Sequence, residues 1–134
     1  SIEATLCNFL GACSAASKQL SVGSAGALVP IVAILGQSDR SVYRVDPFAL
    51  SASAYNKTCG EPTTSTNLDY AWTTTVRYTS EAEFRASSLQ SVSQSPSVFK
   101  LPAFSLAVKA EYDITLSVLS AISGLRSTAT VRVF

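Results

Sequence analysis

The side chains that could carry out chemistry are few and widely spaced along this chain. None of the 134 residues is a histidine, which removes the usual general base and the commonest metal ligand. The nine carboxylates are dispersed, and Glu81 and Glu83 are the nearest pair. A pair that folding brings together, as in glycoside hydrolases, is the enzymatic alternative. We expect no enzyme, no cofactor and no metal site.

Three cysteines, Cys7, Cys13 and Cys59, are the other reactive groups. Cys7 and Cys13 lack the paired spacing of a zinc site. In a secreted protein, an odd number predicts one disulfide and a free or intermolecular thiol, whereas three buried thiols would fit a cytosolic protein. We expect residues 1–26 to lie at the same end as the loop with Cys59. Cys7 or Cys13 is therefore predicted to pair with Cys59, and a small Cys7–Cys13 loop is the rival.

The tripeptide Asn56-Lys57-Thr58 is an acceptor sequence for N-glycosylation. Such acceptors are used on exposed loops of secreted proteins. The sequence therefore predicts an exposed Asn56 that carries a glycan. Together with the cysteines, it favours an extracellular or cell-surface location.

The composition indicates a folded chain with a nearly neutral surface. Hydrophobic residues make up 47% and charged residues 14%, and the formal net charge is +1. This much apolar surface can offset the entropy of ordering, and the absence of a basic cluster argues against nucleic acid as a partner. The longest apolar run, residues 25–35, is too short to span a bilayer. We expect no membrane contact by this segment.

From residue 27 onward, short segments alternate between apolar and polar residues, as in half-buried strands. The clearest are 68–78 and 112–118, and residues 81–89 fit either a helix or a polar edge strand. The other segments with a strand pattern are 28–35, 41–45, 48–55, 98–104 and 128–134. About seven to nine short strands with regular turns predict an all-β sandwich of two antiparallel sheets.

One tryptophan stands in the clearest of these strands, and we expect burial to centre on Trp72. Ile114 and Leu116 are predicted to face it from the opposite sheet. The predicted core consists of Trp72, Tyr70, Tyr112, Ile114, Leu116, Val118 and Val131. Tyr112 fits either an ordinary core residue or a tyrosine corner, in which the hydroxyl bonds to backbone upstream. Tyr43, Tyr55 and Tyr78 could form an aromatic contact patch or pack at the rim of the sandwich.

Residues 1–26 differ in pattern from residues 27–134. Leu6, Phe9 and Leu10 could line one face of a short helical turn that Gly11 ends, and residues 19–22 could form a short strand. We interpret residues 1–26 as an N-terminal extension or the tail of a preceding module, and residues 27–134 as the sandwich.

Several segments, in their order and spacing, resemble the polycystic-kidney-disease (PKD) type of immunoglobulin-like domain. The closest variant is that of receptor-for-egg-jelly (REJ) regions in polycystin-like surface proteins of eukaryotes. The segments are VPIV at 29–32, RSV at 40–42, FALSASAYN at 48–56, LDYAW at 68–72, LPA at 101–103, YDITLSV at 112–118 and ATVRV at 129–133. The sequence departs from the family at two places: Ala54 stands where the family usually has a glycine, and Asn56-Lys57 stands where it has an acidic turn. The resemblance therefore implies no cation bound at that turn.

The resemblance implies a non-catalytic extracellular module that spans distance, bears load or contacts other surface molecules. Residues 16–22 also resemble residues 126–133, and both have the pattern of a closing strand. With the odd cysteine and the lack of methionine, this predicts one unit of a larger glycoprotein. Its partners would be neighbouring domains or other copies. The alternatives are a single secreted domain and a module that binds a glycan or a protein ligand.

Overall fold

The computed structural model describes residues 2–7, 11, 13–18, 29–57 and 63–134. Every regular element in this part of the chain is a β-strand, so it has no helix that could cross a membrane. The strands are β1 (Ile2–Cys7), β2 (Cys13–Lys18), β3 (Pro30–Ile34), β4 (Asp39–Arg40), β5 (Phe48–Asn56), β6 (Leu68–Tyr78), β7 (Arg85–Ala86), β8 (Val98–Leu101), β9 (Ala110–Ser120) and β10 (Arg126–Val133).

Two sheets form the arrangement of a β-sandwich. One has three strands in the order β3-β5-β8, and the other has five in the order β4-β10-β9-β6-β7. Apolar side chains from both sheets share one core, including Leu50 and Phe99 from the first and Ile114 and Val131 from the second. The all-β, two-sheet prediction is confirmed. One pair departs from the antiparallel expectation, because β4 and β10 run parallel.

β9 is the central strand of the five-stranded sheet, where it pairs with β10 and β6. Its sequence alternates between apolar and polar residues. Every second residue is apolar, so one face of the strand enters the core and the other carries the polar residues. Tyr112, Ile114, Leu116 and Val118 are all buried. Val131 on the neighbouring strand β10 pairs with Ile114 and is buried as well.

Trp72 lies beside Ile114 and Leu116 rather than opposite them. Its strand β6 pairs with β9, and Trp72 is directly across from Leu116 in the same sheet. The prediction that these residues face each other between sheets is therefore wrong. The residue that meets Trp72 from the other sheet is Phe99, with ring centroids 5.4 Å apart. Trp72 and Tyr70 are only half-buried, and the indole N–H of Trp72 donates to the Pro96 carbonyl at 2.9 Å.

Between β3 and β4 the chain crosses from one sheet to the other. Gly36 makes the turn at a φ of +101°, which L side chains rarely adopt. The Arg40 side chain folds back over this turn and donates to the carbonyls of Leu35 and Gln37. Residues 41–45, which the pattern predicts as a strand, form no strand because the chain turns there, with the Asp46 N–H bonded to the Tyr43 carbonyl.

We predict that Gly36→Ala destabilises the protein more than Gly124→Ala. Both glycines have positive φ, so each substitution costs about 1–2 kcal/mol of backbone strain. A Cβ at Gly36 would lie 2.5 Å from the Arg40 guanidinium and displace it, whereas a Cβ at Gly124 meets nothing within 4 Å. Losing the Arg40 hydrogen bonds adds about 1 kcal/mol. Urea unfolding of both variants measures the difference, and equal losses would contradict this role of Arg40.

The ambiguous segment 81–89 contains the short edge strand β7 and no helix. Its two residues pair with Thr75 and Val76 at the outer edge of the five-stranded sheet. Arg85 there forms an ion pair with Glu81 at 3.4 Å and lies 4.9 Å from the centroid of the Tyr78 ring. A short, charged edge strand leaves little open backbone to which another chain could pair.

The first described residues form a hairpin of β1 and β2, a two-stranded sheet of its own. The helical turn predicted around Leu6 is wrong at that residue, which lies in β1. In this hairpin Cys7 is paired with Cys13, and the two are joined by a disulfide, with 4.0 Å between their Cα atoms. The predicted bond of either cysteine to Cys59 is therefore wrong, because the hairpin register brings the rival pair together. Cys59, Phe9, Leu10 and residues 19–22 lie outside the described residues.

The predicted glycosylation site is buried. Asn56 is the last residue of β5, pairs with Pro30 and is only 1% exposed. Its side-chain amide donates to the Thr66 carbonyl at 3.5 Å, and its Oδ1 has no hydrogen-bond partner among the described residues. The prediction of an exposed Asn56 is wrong, because the acceptor sequence overlaps the end of an inner strand. A glycan on this amide does not fit the folded structure.

Candidate functional site

A cleft of about 390 Å³ opens at the end of the sandwich where β10 ends and β9 begins. We call it the end cleft. It is lined by residues 42–44, Thr79, residues 106–112 and residues 133–134. Its volume falls in the range of ordinary ligand sites in proteins, about 300–1,000 Å³.

The loop between β8 and β9 forms one wall of the end cleft and is anchored by Tyr112. The Tyr112 side chain is buried, and its hydroxyl accepts a hydrogen bond from the Ala107 backbone N–H at 2.9 Å. A tyrosine near the start of a strand that bonds back to upstream backbone has the geometry of a tyrosine corner. Leu106 also anchors this loop, because its side chain is buried in the core cluster.

Two residues of this loop, Phe104 and Lys109, have the positive φ values of +63° and +56°. The Phe104 N–H donates to the Arg44 carbonyl at 2.8 Å, and the Lys109 carbonyl accepts from the backbone and the hydroxyl of Thr79. These bonds stabilise a conformation that non-glycine residues adopt at a cost. The loop is thus attached to both neighbouring segments of the cleft.

The cleft combines an apolar lining with two cations. Val42, Leu106 and Val133 supply buried or half-buried apolar surface. Arg44 lies 5.7 Å from the centroid of the Phe104 ring, and Lys109 is an exposed residue of the lining. The single acidic side chain of the lining, Glu111, is paired with Arg77. The arrangement offers a ligand an apolar surface and two cationic side chains.

Outside the cleft, the outer face of the five-stranded sheet carries a second cluster of charged residues. Arg132 forms a two-point ion pair with Asp113, at 2.8 and 3.1 Å. Hydrogen bonding to Asp113 raises the pKa of Arg132 above its already high ordinary value. The Phe84 ring lies between Arg132 and Arg77, 5.4 and 4.7 Å from their guanidinium carbons. In this cluster each arginine has a carboxylate partner at the surface, and surface ion pairs of this kind contribute little to stability.

The residues singled out in the sequence do not assemble into one site. Tyr112 is part of the cleft, whereas the other predicted core residues lie between the sheets away from it. Tyr43 is 80% exposed at the cleft, Tyr78 lies beneath Arg85, and Tyr55 is half-buried on β5. Sequence periodicity does not predict the cleft, because most of its lining residues belong to loops. The available signal was the apolar residues Leu106 and Val108, which lie between the predicted strand segments 98–104 and 112–118.

The described residues contain no group of three side chains placed to hold a metal ion. Three of the carboxylates, Glu81, Glu111 and Asp113, are engaged by arginines. In comparisons with known proteins, no protein-family model, no curated protein and no solved structure matches this chain. The resemblance to PKD and REJ domains therefore remains a prediction from the residues.

Proposed function

We propose that this chain is a non-catalytic extracellular module with an immunoglobulin-like sandwich of the PKD type. The observation that carries the proposal is the strand order. Two facing sheets of β3-β5-β8 and β4-β10-β9-β6-β7, with a chain that changes sheets between β3 and β4, fit an immunoglobulin-like arrangement. The hydrogen bond from Ala107 to the Tyr112 hydroxyl supports it as a second feature of such domains.

The Cys7–Cys13 disulfide supports an extracellular or cell-surface location. Disulfides persist in oxidising compartments and are rare in the cytosol of most organisms. A role as one structural or adhesive unit of a larger protein agrees with the dispersed carboxylates, three of which are paired with arginines.

The geometry of β4 and β10 suits a module that bears load. The two strands are adjacent and parallel, with three hydrogen bonds from Arg132 to Ser38, Phe134 to Arg40, and Val42 to Phe134. A force that pulls the chain apart at Val29 and Phe134 runs along these strands and loads the bonds together. A force that separates β9 from β10 at one end breaks their bonds one after another.

We therefore expect a higher unfolding force when handles are attached at Val29 and Phe134 than at Lys109 and Phe134. The second pair opens the end where Tyr112 pairs with Val133 and serves as the matched control. Single-molecule pulling measures both, since forced unfolding follows the barrier to unfolding. Equal forces in the two geometries would contradict a load-bearing role.

The end cleft favours a second candidate function, a module that binds a protein or glycan ligand on the same fold. Its volume and its apolar lining with a few polar groups are those of a ligand site. Two experiments separate this function from a purely structural one. The full chain is used to probe a glycan array, and the immobilised chain is used in a pull-down.

A further inference from the structure

Exposed apolar side chains cluster around the mouth of the end cleft. Tyr43, Val108 and Phe134 of the lining are 80%, 68% and 54% exposed, and Phe104, which contacts the lining residue Arg44, is 62% exposed. Three of them are aromatic, with Tyr43 and Phe104 in two different loops and Phe134 directly after β10. Clustered exposed apolar groups with a polar rim are typical of an interaction site rather than of a random surface.

The two cationic side chains at the mouth have no acidic partner in the part of the chain that the structure describes. Within the described residues, neither Arg44 nor Lys109 forms an ion pair, and the Arg44 guanidinium is instead placed over the Phe104 ring. Glu111 at the base of the wall is already engaged by Arg77. Among the side chains of the lining, a ligand carboxylate at the mouth would therefore meet two unpaired cations and no unpaired carboxylate.

From this complementarity we propose that the end cleft binds an acidic peptide. The peptide is an extended segment in which an apolar side chain is flanked by aspartate or glutamate. The apolar side chain enters between Val42, Leu106 and Val133, and the carboxylates pair with Arg44 and Lys109. This inference rests on the proposed module function and names the partner of its binding surface.

Other partners fit the cleft less well. Two cations are too few to hold a nucleic-acid backbone, whose binding usually involves about 6–10 phosphate contacts. A lipid surface is flat and would not fill a concave site between two loops. An extended peptide matches both the open cleft and the paired cations, and charge complementarity of this kind sets specificity.

The test uses the full chain and three fluorescein-labelled nonapeptides of equal length. The first has a central Leu-Phe flanked by aspartate and glutamate, the second has lysines in place of the acids, and the third has serines in place of Leu-Phe. We expect the first alone to raise fluorescence anisotropy, with an affinity that falls as salt increases. Binding of the basic peptide as tightly as the acidic one, or no binding of the acidic peptide, would overturn the proposal.

Charge reversal locates the site. Arg44→Glu with Lys109→Glu should weaken binding of the acidic peptide by about tenfold or more, since it places repulsion where attraction was. The matched control is Arg126→Glu with Lys57→Glu, which makes the same charge change at the opposite end of the strands and should leave affinity unchanged. Circular dichroism and the thermal midpoint verify that both variants are folded.

Equal loss of affinity in the two double variants would place binding elsewhere and overturn the proposal. Binding to phosphatidylserine vesicles in preference to the acidic peptide would replace the peptide with a membrane surface. Neither result would contradict the proposed load-bearing function, because the pulling experiment that tests it does not involve a ligand of the cleft.

Discussion

Replacing Phe99 with alanine lowers the free energy of unfolding by about 3–5 kcal/mol, the range for a large aromatic side chain removed from a core. Phe99 is only 1% exposed and packs between the sheets against the half-buried Trp72. The smaller side chain leaves a cavity that the neighbouring strands cannot close, because β5 and β8 are held in register at this point. Urea denaturation monitored by the fluorescence of Trp72 measures the loss.

Phe104→Ala is the matched control, because it removes the same side chain from an exposed position. Phe104 contacts Arg44 at the surface, and the expected loss is within about 0.5–1 kcal/mol. Similar losses at Phe99 and Phe104 would contradict the core that the two sheets share.

Tyr112→Phe is expected to lower the free energy of unfolding by about 1–3 kcal/mol, because it leaves a partly buried hydrogen-bond donor without its partner. The hydroxyl that it removes accepts the Ala107 N–H, while the ring of the phenylalanine still fills the same space. The amide of Ala107 should also exchange with solvent faster than in the parent. Chemical denaturation and hydrogen exchange measured by NMR check the two effects.

Tyr43→Phe provides the control, since Tyr43 is largely exposed and its hydroxyl makes no hydrogen bond among the described residues. It should change neither stability nor the exchange of Ala107. If Tyr112→Phe leaves the Ala107 amide as protected as before, the tyrosine-corner interpretation is wrong.

The strands with strong alternation could be predicted from the sequence. The predicted segment 68–78 coincides with β6, and segment 112–118 lies within β9. In both, one face is apolar over many residues, so the period of two has only one consistent placement. Residues 41–45 also alternate, yet local hydrogen bonds turn the chain there. Five residues are too few for the pattern to decide.

Features that depend on distant segments could not be predicted. The parallel pairing of β4 with β10 joins residues more than ninety positions apart, and two residues of β4 carry no pattern of their own. Asn56 belongs to a sequence motif that carries no information about burial. The disulfide follows from the register of a hairpin whose small residues have weak strand preference.

Of the end cleft, only the role of Tyr112 could be predicted from the sequence. Tyr112 was recognised as a candidate tyrosine corner, but Arg44, Lys109 and Phe104 belong to loops whose positions are set by the sandwich. Loop residues of this kind are placed by tertiary hydrogen bonds such as that from Phe104 to Arg44. Periodicity therefore gives no signal for them.

The most direct test of the proposed immunoglobulin-like arrangement is an NMR measurement of scalar couplings across the hydrogen bonds between β4 and β10. The structure predicts couplings from the amides of Arg132, Phe134 and Val42 to the carbonyls of Ser38, Arg40 and Phe134, over donor–acceptor distances of 2.7, 2.9 and 3.1 Å. Observing all three would establish the parallel pairing of β4 with β10. Their absence, or couplings in an antiparallel register, would contradict the strand order from which the proposed function is argued.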